Sequence, residues 1–137
     1  MKTCPCHSGI EYAQCCKPYH SWKQHAPTAL ALMKSRYSAY ALSEINYLIK
    51  TTHPKNPAYQ KDLKTWQCEL ANYCRTIQCL GLTILNHTPG VTNSTVTFQA
   101  HLSQNGHLFT LTETSTFIKQ DQHWLYYSGE VKTQSST

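Results

Sequence analysis

The chain has 137 residues, of which 40 % are hydrophobic and 14 % charged, and it contains nine tyrosines and three tryptophans. This is the length of one domain with its own core, and the aromatic content with low charge excludes a natively disordered chain. The net charge of +5 is concentrated in residues 1–64, where nine Lys and Arg face three acids. That excess suits an acidic partner such as nucleic acid, and equally a basic solvated surface.

The amino terminus has no apolar segment, so we expect no signal peptide. The longest apolar run, residues 29–33, is too short to cross a bilayer. We therefore expect a cytoplasmic protein with no membrane contact. In that compartment disulfides are disfavoured, and clustered cysteines more often bind metal or carry out chemistry.

The first predicted element is a cysteine-rich segment, CPCHSGIEYAQCC, at residues 4–16. Ser8 followed by Glu11 resembles a capping box, which predicts a short helix between the two cysteine pairs. Four thiolates at this spacing form the ligand set of a structural, closed Zn²⁺ site. The predicted ligands are Cys4, Cys6, Cys15 and Cys16.

Other uses of these cysteines are weaker. A disulfide within either pair is cramped or strained, and a catalytic thiol needs one cysteine and leaves three unexplained. His7 or His20 in place of one cysteine ligand stays open, as does iron in place of zinc. The remaining cysteines are expected to be buried thiols. They are Cys68, Cys74 and Cys79.

Three helical segments follow a linker. The first begins near Pro27, which suits a first helical turn, and it carries one apolar stripe. That stripe consists of Leu30, Met33, Tyr37 and Tyr40. The second segment covers residues 43–50 with Ser43 as its cap. The third covers residues 58–74, beyond a break at His53.

The apolar period then changes from helical to alternating. Asn105-Gly106 is the favoured pair for a two-residue hairpin turn. That turn sets three cross-strand pairs: Leu102 with Phe109, Ala100 with Leu111, and Phe98 with Glu113. Further strands are predicted at residues 75–85 and 124–129, the last after a turn at Asp121-Gln122. Helices followed by an antiparallel meander predict an α+β fold, with the helices on one face of a curved sheet.

The cysteine segment resembles the SEC-C motif, a small zinc-binding module of the protein-export ATPase that is also appended to many bacterial proteins. The agreeing residues are Cys4, Pro5, Cys6, Ser8, Gly9, Tyr12, Cys15 and Cys16. His7 stands where the motif usually has Gly, which strains the turn slightly and removes no ligand. In other proteins such motifs contact protein partners, and the resemblance implies the same here.

Residues 3–130 resemble the YchJ family of uncharacterised bacterial proteins. The segments that carry the resemblance are ALMKSRYSAYAL, NYLIKTTHP, VTFQA, ETSTF and WLYYSG. One departure is Cys79, where the family more often has Trp, and the smaller side chain widens any nearby cavity. The family's central domain is similar to the nuclear-transport-factor-2-like (NTF2-like) fold, a cone of helices around a strongly bent sheet. That fold includes enzymes and non-catalytic binding domains, and it often dimerises through the sheet.

The resemblance implies two domains, a zinc knuckle with its linker at residues 1–22 and an NTF2-like domain at residues 23–137. Within the second, the hairpin register puts the Glu113 carboxylate on the apolar face, where it needs a partner. One interpretation is a buried Arg36–Glu113 pair. A second is a pocket in which Glu113 acts as a general base, assisted by His53 or Tyr37. A register slip that exposes Glu113 is the third.

Two functions compete. The first, which we favour from the sequence, is a non-enzymatic adaptor that binds a protein partner through its zinc knuckle, flanked by Lys2, Lys17 and Lys23. The second is a small-molecule-binding protein or acid/base enzyme that uses a pocket at Glu113. An open cavity at Glu113 favours the second, and a closed Arg36 pair favours the first. Nucleic-acid binding is a weaker third hypothesis, with a steep salt dependence as its signature.

Overall fold

A computed structural model describes residues 2–135. A 3₁₀ turn and four helices precede four strands, which confirms the predicted α+β order. The elements are the 3₁₀ turn (Tyr12–Gln14), α1 (Lys17–His20), α2 (Ala29–Leu42), α3 (Ile45–Lys50), α4 (Leu63–Thr76), β1 (Ile77–Thr88), β2 (Asn93–Gln104), β3 (His107–Gln120) and β4 (His123–Ser135). No helix among the described residues is long and apolar enough to span a membrane.

The strands form one antiparallel meander in the order β1-β2-β3-β4. Asn105 and Gly106 have φ angles of 52° and 84°, the left-handed values that a tight hairpin turn requires. The resulting register confirms the three predicted pairs, including Phe98 opposite Glu113. The second hairpin turns at Asp121 and Gln122, with φ angles of 51° and 71°, as predicted.

The sheet is bent by register shifts on its outer strands. Two occur in β1, between Cys79 and Gly81 and between Ile84 and Asn86, and one in the β3–β4 pair follows Thr116. Such bulges increase local twist and curve a sheet. The concave face holds the largest buried side chains with α2 and α3. These include Leu32, Leu48, Val96, Phe98, Phe117 and Trp124.

Several element boundaries differ from the sequence prediction. Ser43 does not cap α3; it ends α2 in a left-handed conformation with φ 58°. The third predicted helix, residues 58–74, corresponds to α4. It begins at Leu63, because the Asp62 carboxylate accepts a hydrogen bond from the Thr65 backbone N–H and caps the helix there. The last strand is longer than residues 124–129, because the polar residues beyond them continue to pair with β3 through the backbone.

The helix α2 lies between the cysteine-rich segment and the sheet. It is therefore buried on more than one side, including the small polar side chains of Ser35 and Ser38, whose exposed fractions are zero. A helix that is enclosed in this way loses the clear division into an apolar and a polar face. The position of α2 makes it the wall shared by the two candidate sites described below.

Candidate metal centre and cavity

The four predicted cysteine ligands converge on one point. Their Sγ atoms all lie within 4.8 Å of one another. The Sγ of Cys15 lies 3.6 Å from that of Cys6 and 4.0 Å from that of Cys16. Tetrahedral zinc with Zn–S bonds of about 2.3 Å separates its sulfurs by roughly 3.8 Å. The spacing of the cluster therefore fits a tetrahedral metal ion.

The local backbone explains this convergence. The Cys4 backbone N–H donates to the Ile10 carbonyl at 2.8 Å, which folds the first cysteine loop back. Cys15 directly follows the 3₁₀ turn, and Cys16 lies directly before α1. Cys4, Cys6 and Cys16 are buried, and Cys15 is half-buried.

The thiols influence one another strongly. Hydrogen bonding from Cys16 lowers the pKa of Cys6 to about 4, against the opposing effect of burial. Burial raises the pKa of Cys4 to about 11. A bound divalent cation would remove this difference, because it holds every ligating sulfur as a thiolate. The donor set of four sulfurs suits zinc, and by softness also iron.

No disulfide joins any of the seven cysteines, all of which lie in the described residues. The expectation for the other three is met in part. Cys74 is buried and Cys79 half-buried, but Cys68 is exposed on α4, so the prediction of a buried thiol is wrong there. None of the three joins the cluster.

The two histidines considered as ligands have other roles. Nε2 of His20 lies 2.8 Å from the Ser35 carbonyl, which only accepts, so Nε2 carries the proton and Nδ1 accepts from the Tyr12 hydroxyl at 2.8 Å. Both ring nitrogens of His20 are therefore engaged. His7 has a left-handed φ of 64°, which agrees with the predicted strain, and its ring packs against Tyr37 at 5.9 Å.

His20 is the residue that sequence reasoning undervalued. It joins the cysteine-rich segment to α2, because its two hydrogen bonds reach Tyr12 on one side and Ser35 on the other. Burial lowers the pKa of His20, so the neutral form is favoured. The shorter contact on α2 is made by the Ser35 backbone carbonyl, so no side chain in the sequence marks it.

A cavity of about 230 Å³ lies between α2, α4 and the concave face of the sheet. Its walls are largely apolar and aromatic, and it is open to solvent. Four tyrosines line it together with one carboxylate and one guanidinium. The residues that define its chemistry are Arg36, Tyr37, Tyr40, Tyr73, Glu113 and Tyr126. Cys79 also lines this cavity, as expected of a small side chain at that position.

The Glu113 carboxylate is held by two hydroxyl groups. Ser115 donates a short hydrogen bond to Oε2, and the Tyr126 hydroxyl donates to the same oxygen at 2.8 Å. Burial and the Glu113 charge both raise the pKa of Tyr126. Gly129 leaves room for this arrangement, because a Cβ there would come within 2.5 Å of Oε2. The other carboxylate oxygen, Oε1, stays able to accept from a ligand.

The predicted direct Arg36–Glu113 pair is wrong. The Nη1 of Arg36 donates to the Leu48 carbonyl at 2.9 Å and to Thr51 Oγ1 at 2.7 Å, at the end of α3. Its guanidinium lies 4.7 Å from the centre of the Tyr126 ring. Tyr126 therefore stands between the two charges: its ring contacts the cation and its hydroxyl contacts the carboxylate.

The other two candidate catalytic residues, Tyr37 and His53, lie in different environments. Tyr37 lines the cavity, and its hydroxyl donates to the Gly81 carbonyl at 3.0 Å. His53 does not reach Glu113. Its Nδ1 accepts from the Lys55 backbone N–H at 3.0 Å, and its Nε2 donates to Gln120 at 2.9 Å. The first bond holds the turn after α3 and the second reaches the end of β3, so both nitrogens of His53 are engaged away from Glu113.

Comparison with known proteins matches both parts of the chain. The family described as "YchJ, middle NTF2-like domain" matches residues 28–129, and the SEC-C motif matches residues 2–18. These matches confirm the recognised family and the NTF2-like fold. The boundary that we predict between residues 22 and 23 stays a prediction.

Relatives of known sequence and structure agree. A UPF0225 protein from Actinobacillus succinogenes is 41 % identical over 94 % of this chain and 82 % of its own length. A SEC-C motif containing protein from Rhodopseudomonas palustris has a TM-score of 0.79 and 29 % identity, covering 93 % of this chain and 96 % of that one. Another, from Psychrobacter arcticus, has a TM-score of 0.75 and 31 % identity, covering 100 % and 86 %.

Proposed function

Because the chain belongs to the family that combines a SEC-C motif with a YchJ middle NTF2-like domain, we propose that it is a zinc-stabilised small-molecule-binding protein. In this proposal the zinc ion is structural and the NTF2-like domain carries the binding site. The observation that carries it is the open cavity at the Glu113 carboxylate. The closed Arg36 pair, which would have favoured the adaptor hypothesis, is absent from the described contacts.

The metal part of the proposal rests on the four sulfurs. Their spacing fits tetrahedral zinc, and three of the four cysteines are buried. A structural zinc ion contributes folding free energy, because the unfolded chain lacks the assembled site. We therefore assign Zn²⁺ the task of holding residues 4–16 in their fold, in which His20 connects Tyr12 to α2.

Native mass spectrometry of protein purified without added metal tests this assignment. We expect one zinc ion per chain in the unmodified protein and in the Cys68→Ser variant, whose cysteine is exposed and remote. The Cys4→Ser variant is expected to lose the ion. Detection of iron instead of zinc would show that the assigned identity of the metal is wrong. A folded protein that contains no metal would refute the metal site.

The ligand part of the proposal follows from the cavity walls. The volume of about 230 Å³ suits a molecule with one or two rings. Apolar side chains and tyrosine rings would cover its faces, and Oε1 of Glu113 would accept a hydrogen bond from an O–H or N–H group. Two hydroxyl groups donate to Oε2 and fix the orientation of the carboxylate, so Glu113 is placed to anchor a ligand through Oε1.

Phenol, which has one ring and one O–H donor, is a suitable probe. Protein-observed NMR is expected to show saturable binding with a Kd on the order of 1 mM, as for a small fragment. Cys79→Trp places a large ring in the cavity and is expected to abolish binding. Cys68→Trp introduces the same residue on the exposed side of α4 and is the matched control. Equal phenol binding by both variants would refute the cavity as the site.

The adaptor function stays a second proposal, supported by the outer surface of the SEC-C motif. Ile10 is 49 % exposed there, and the lysines at positions 2 and 17 are exposed beside it. An exposed apolar side chain with basic neighbours suits an acidic protein segment. Nucleic acid is a further proposed partner. We also propose that the chain can form a homodimer through the polar outer face of the sheet, and that it is located in the cytoplasm.

Site-specific photo-crosslinking in cells distinguishes the adaptor proposal. A crosslinker at Ile10 is expected to yield one defined protein adduct, and the Cys4→Ser substitution is expected to remove it. The same crosslinker at exposed Val91, in the loop between β1 and β2, serves as the control. Identical adducts at both positions would indicate nonspecific contact and refute the adaptor role of this surface.

A further inference from the structure

A second cavity lies apart from the one at Glu113. It has a volume of about 190 Å³ and is enclosed by the segment after α1, by α3 and by the beginning of β4. The side chains that give it its chemistry are Trp22, His25, Tyr47, Lys50, His123 and Trp124. It shares no lining residue with the cavity at Glu113.

Two buried polar atoms of this cavity's lining residues lack a hydrogen-bond partner. They are Nε1 of Trp124, whose side chain is 92 % buried at 8 % exposure, and Nδ1 of His123. The indole N–H is only a donor, and almost all buried polar groups in proteins are hydrogen-bonded. The indole N–H therefore calls for an acceptor, and the imidazole Nδ1 calls for a donor or an acceptor according to its tautomer, and the described chain supplies neither.

The surrounding charge specifies the acceptor. No carboxylate lines the cavity, whereas the Lys50 ammonium does, and it lies 5.6 Å from the centre of the Trp22 ring. A second ammonium, that of Lys119, lies 5.9 Å from the centre of the Trp124 ring. The nearest acid along the chain is Asp121, which is exposed in the adjacent turn and outside the lining. Such a site favours an anion.

The shape and walls specify the rest of the ligand. The rings of His25 and His123 are stacked at 3.8 Å, and the Trp22 ring lies 5.2 Å from Tyr47. Trp22 is held at a left-handed φ of 63°, which is rare for a bulky residue and is typical of a segment constrained by its surroundings. Flat aromatic walls and a volume near that needed for a benzene ring suit a planar group.

We propose that this second cavity binds a small aromatic carboxylate. The carboxylate would accept from the indole N–H of Trp124 and from His123, with the Lys50 ammonium as its counter-charge, and the ring would lie among the aromatic side chains of the segment after α1. This site is independent of the proposed function at Glu113.

Sodium benzoate is the probe, and the indole N–H signals of the zinc-loaded full chain are the readout. The chain has three tryptophans, and the Trp124→Phe variant identifies the Trp124 signal by its disappearance. Benzoate is expected to shift the Trp124 signal saturably at constant ionic strength, with a Kd on the order of 1 mM. The signal of Trp66, which lines neither cavity, is expected to stay in place.

Matched variants assign the effect to this cavity. Lys50→Met is expected to weaken benzoate binding about tenfold, since it removes the counter-charge. Lys64→Met makes the same charge change at an exposed position on α4 and is expected to have no effect. Cys79→Trp, which fills the first cavity, is also expected to leave benzoate binding unchanged.

Three results would overturn the proposal. The first is the absence of a saturable shift of the Trp124 indole signal at benzoate concentrations well above the expected Kd. The second is an equal loss of affinity in the two lysine variants, which would indicate nonspecific charge attraction. The third is equal binding of inorganic phosphate, which would reduce the site to one for simple anions without a contribution from the aromatic walls.

Discussion

Replacing Gly129 by alanine tests the arrangement that fixes Glu113 in the first cavity. A Cβ at this position would lie 2.5 Å from Oε2 and 2.9 Å from Cδ of Glu113, and it would also meet the Tyr126 hydroxyl. These separations are shorter than any relaxed contact, so the carboxylate and hydroxyl must move apart. We expect the hydrogen bond from Tyr126 to Glu113, now 2.8 Å, to break.

The size of the effect follows from that bond. A hydrogen bond to a charged group contributes about 1.5–3 kcal/mol to the free energy of unfolding. For a chain of this length each kcal/mol corresponds to roughly 3–5 °C, so we expect Gly129→Ala to lower Tm by about 5–15 °C. Thermal unfolding followed by circular dichroism measures this directly.

Gly81→Ala is the matched control. Gly81 is also a strand glycine without a positive φ, but a Cβ there would meet only the side chain of His101, at 3.2 Å. Tyr126→Phe removes the hydroxyl, so the double variant should lose less stability than the sum of the single variants. A Gly129→Ala protein as stable as the unmodified chain, or a Gly81→Ala protein equally destabilised, would refute the reasoning.

Three further predictions concern the N-terminal segment and α2. Burial lowers the pKa of His20, so as the pH falls below about 6.5 the unfolded chain binds a proton at this histidine before the folded chain does. The free energy of unfolding is therefore expected to fall from pH 7 to pH 5. In thermal unfolding, His20→Gln is expected to make stability depend less on pH over this range. Chelation of zinc is expected to lower Tm by roughly 10 °C in the unmodified chain and in Cys68→Ser but not in Cys15→Ser, and no change in the unmodified chain would contradict a structural ion. Ser43→Gly relieves a left-handed φ of 58° and is expected to raise the unfolding free energy by about 0.5–1 kcal/mol in urea titration, whereas a loss would mean that the serine side chain stabilises this helix end.

The sequence was most informative where one local rule determines the geometry. The Asn105-Gly106 turn and the two-residue period of the strands fix the hairpin register, because a shift by one residue would move every apolar side chain to the other face. The four cysteines converge for a similar local reason, since the short sequence separations between them keep their Sγ atoms close together. Both features were therefore predictable residue by residue.

Prediction failed where a contact depends on elements far apart in the chain. Arg36 and Glu113 are the two charged residues facing the cavity, but the sequence does not reveal that Tyr126 of β4 lies between them. His53 is directed away from Glu113 because the backbone after α3 pairs with Tyr126 on β4. The two unpartnered atoms of the second cavity likewise depend on how the segment after α1 meets β4.

The composition of α2 follows from its position between two sites. The Ser35 carbonyl accepts from Nε2 of His20, and Ser38 Oγ lies 3.4 Å from the same nitrogen, whereas Ser35 Oγ lies 2.7 Å from the Tyr47 hydroxyl of α3. Arg36 and Tyr37 face the sheet and line the first cavity. Tyr37 contacts both sides, with its ring against His7 and its hydroxyl on Gly81. Because one helix borders both sites, a change in the metal centre that moves α2 must also reshape the cavity.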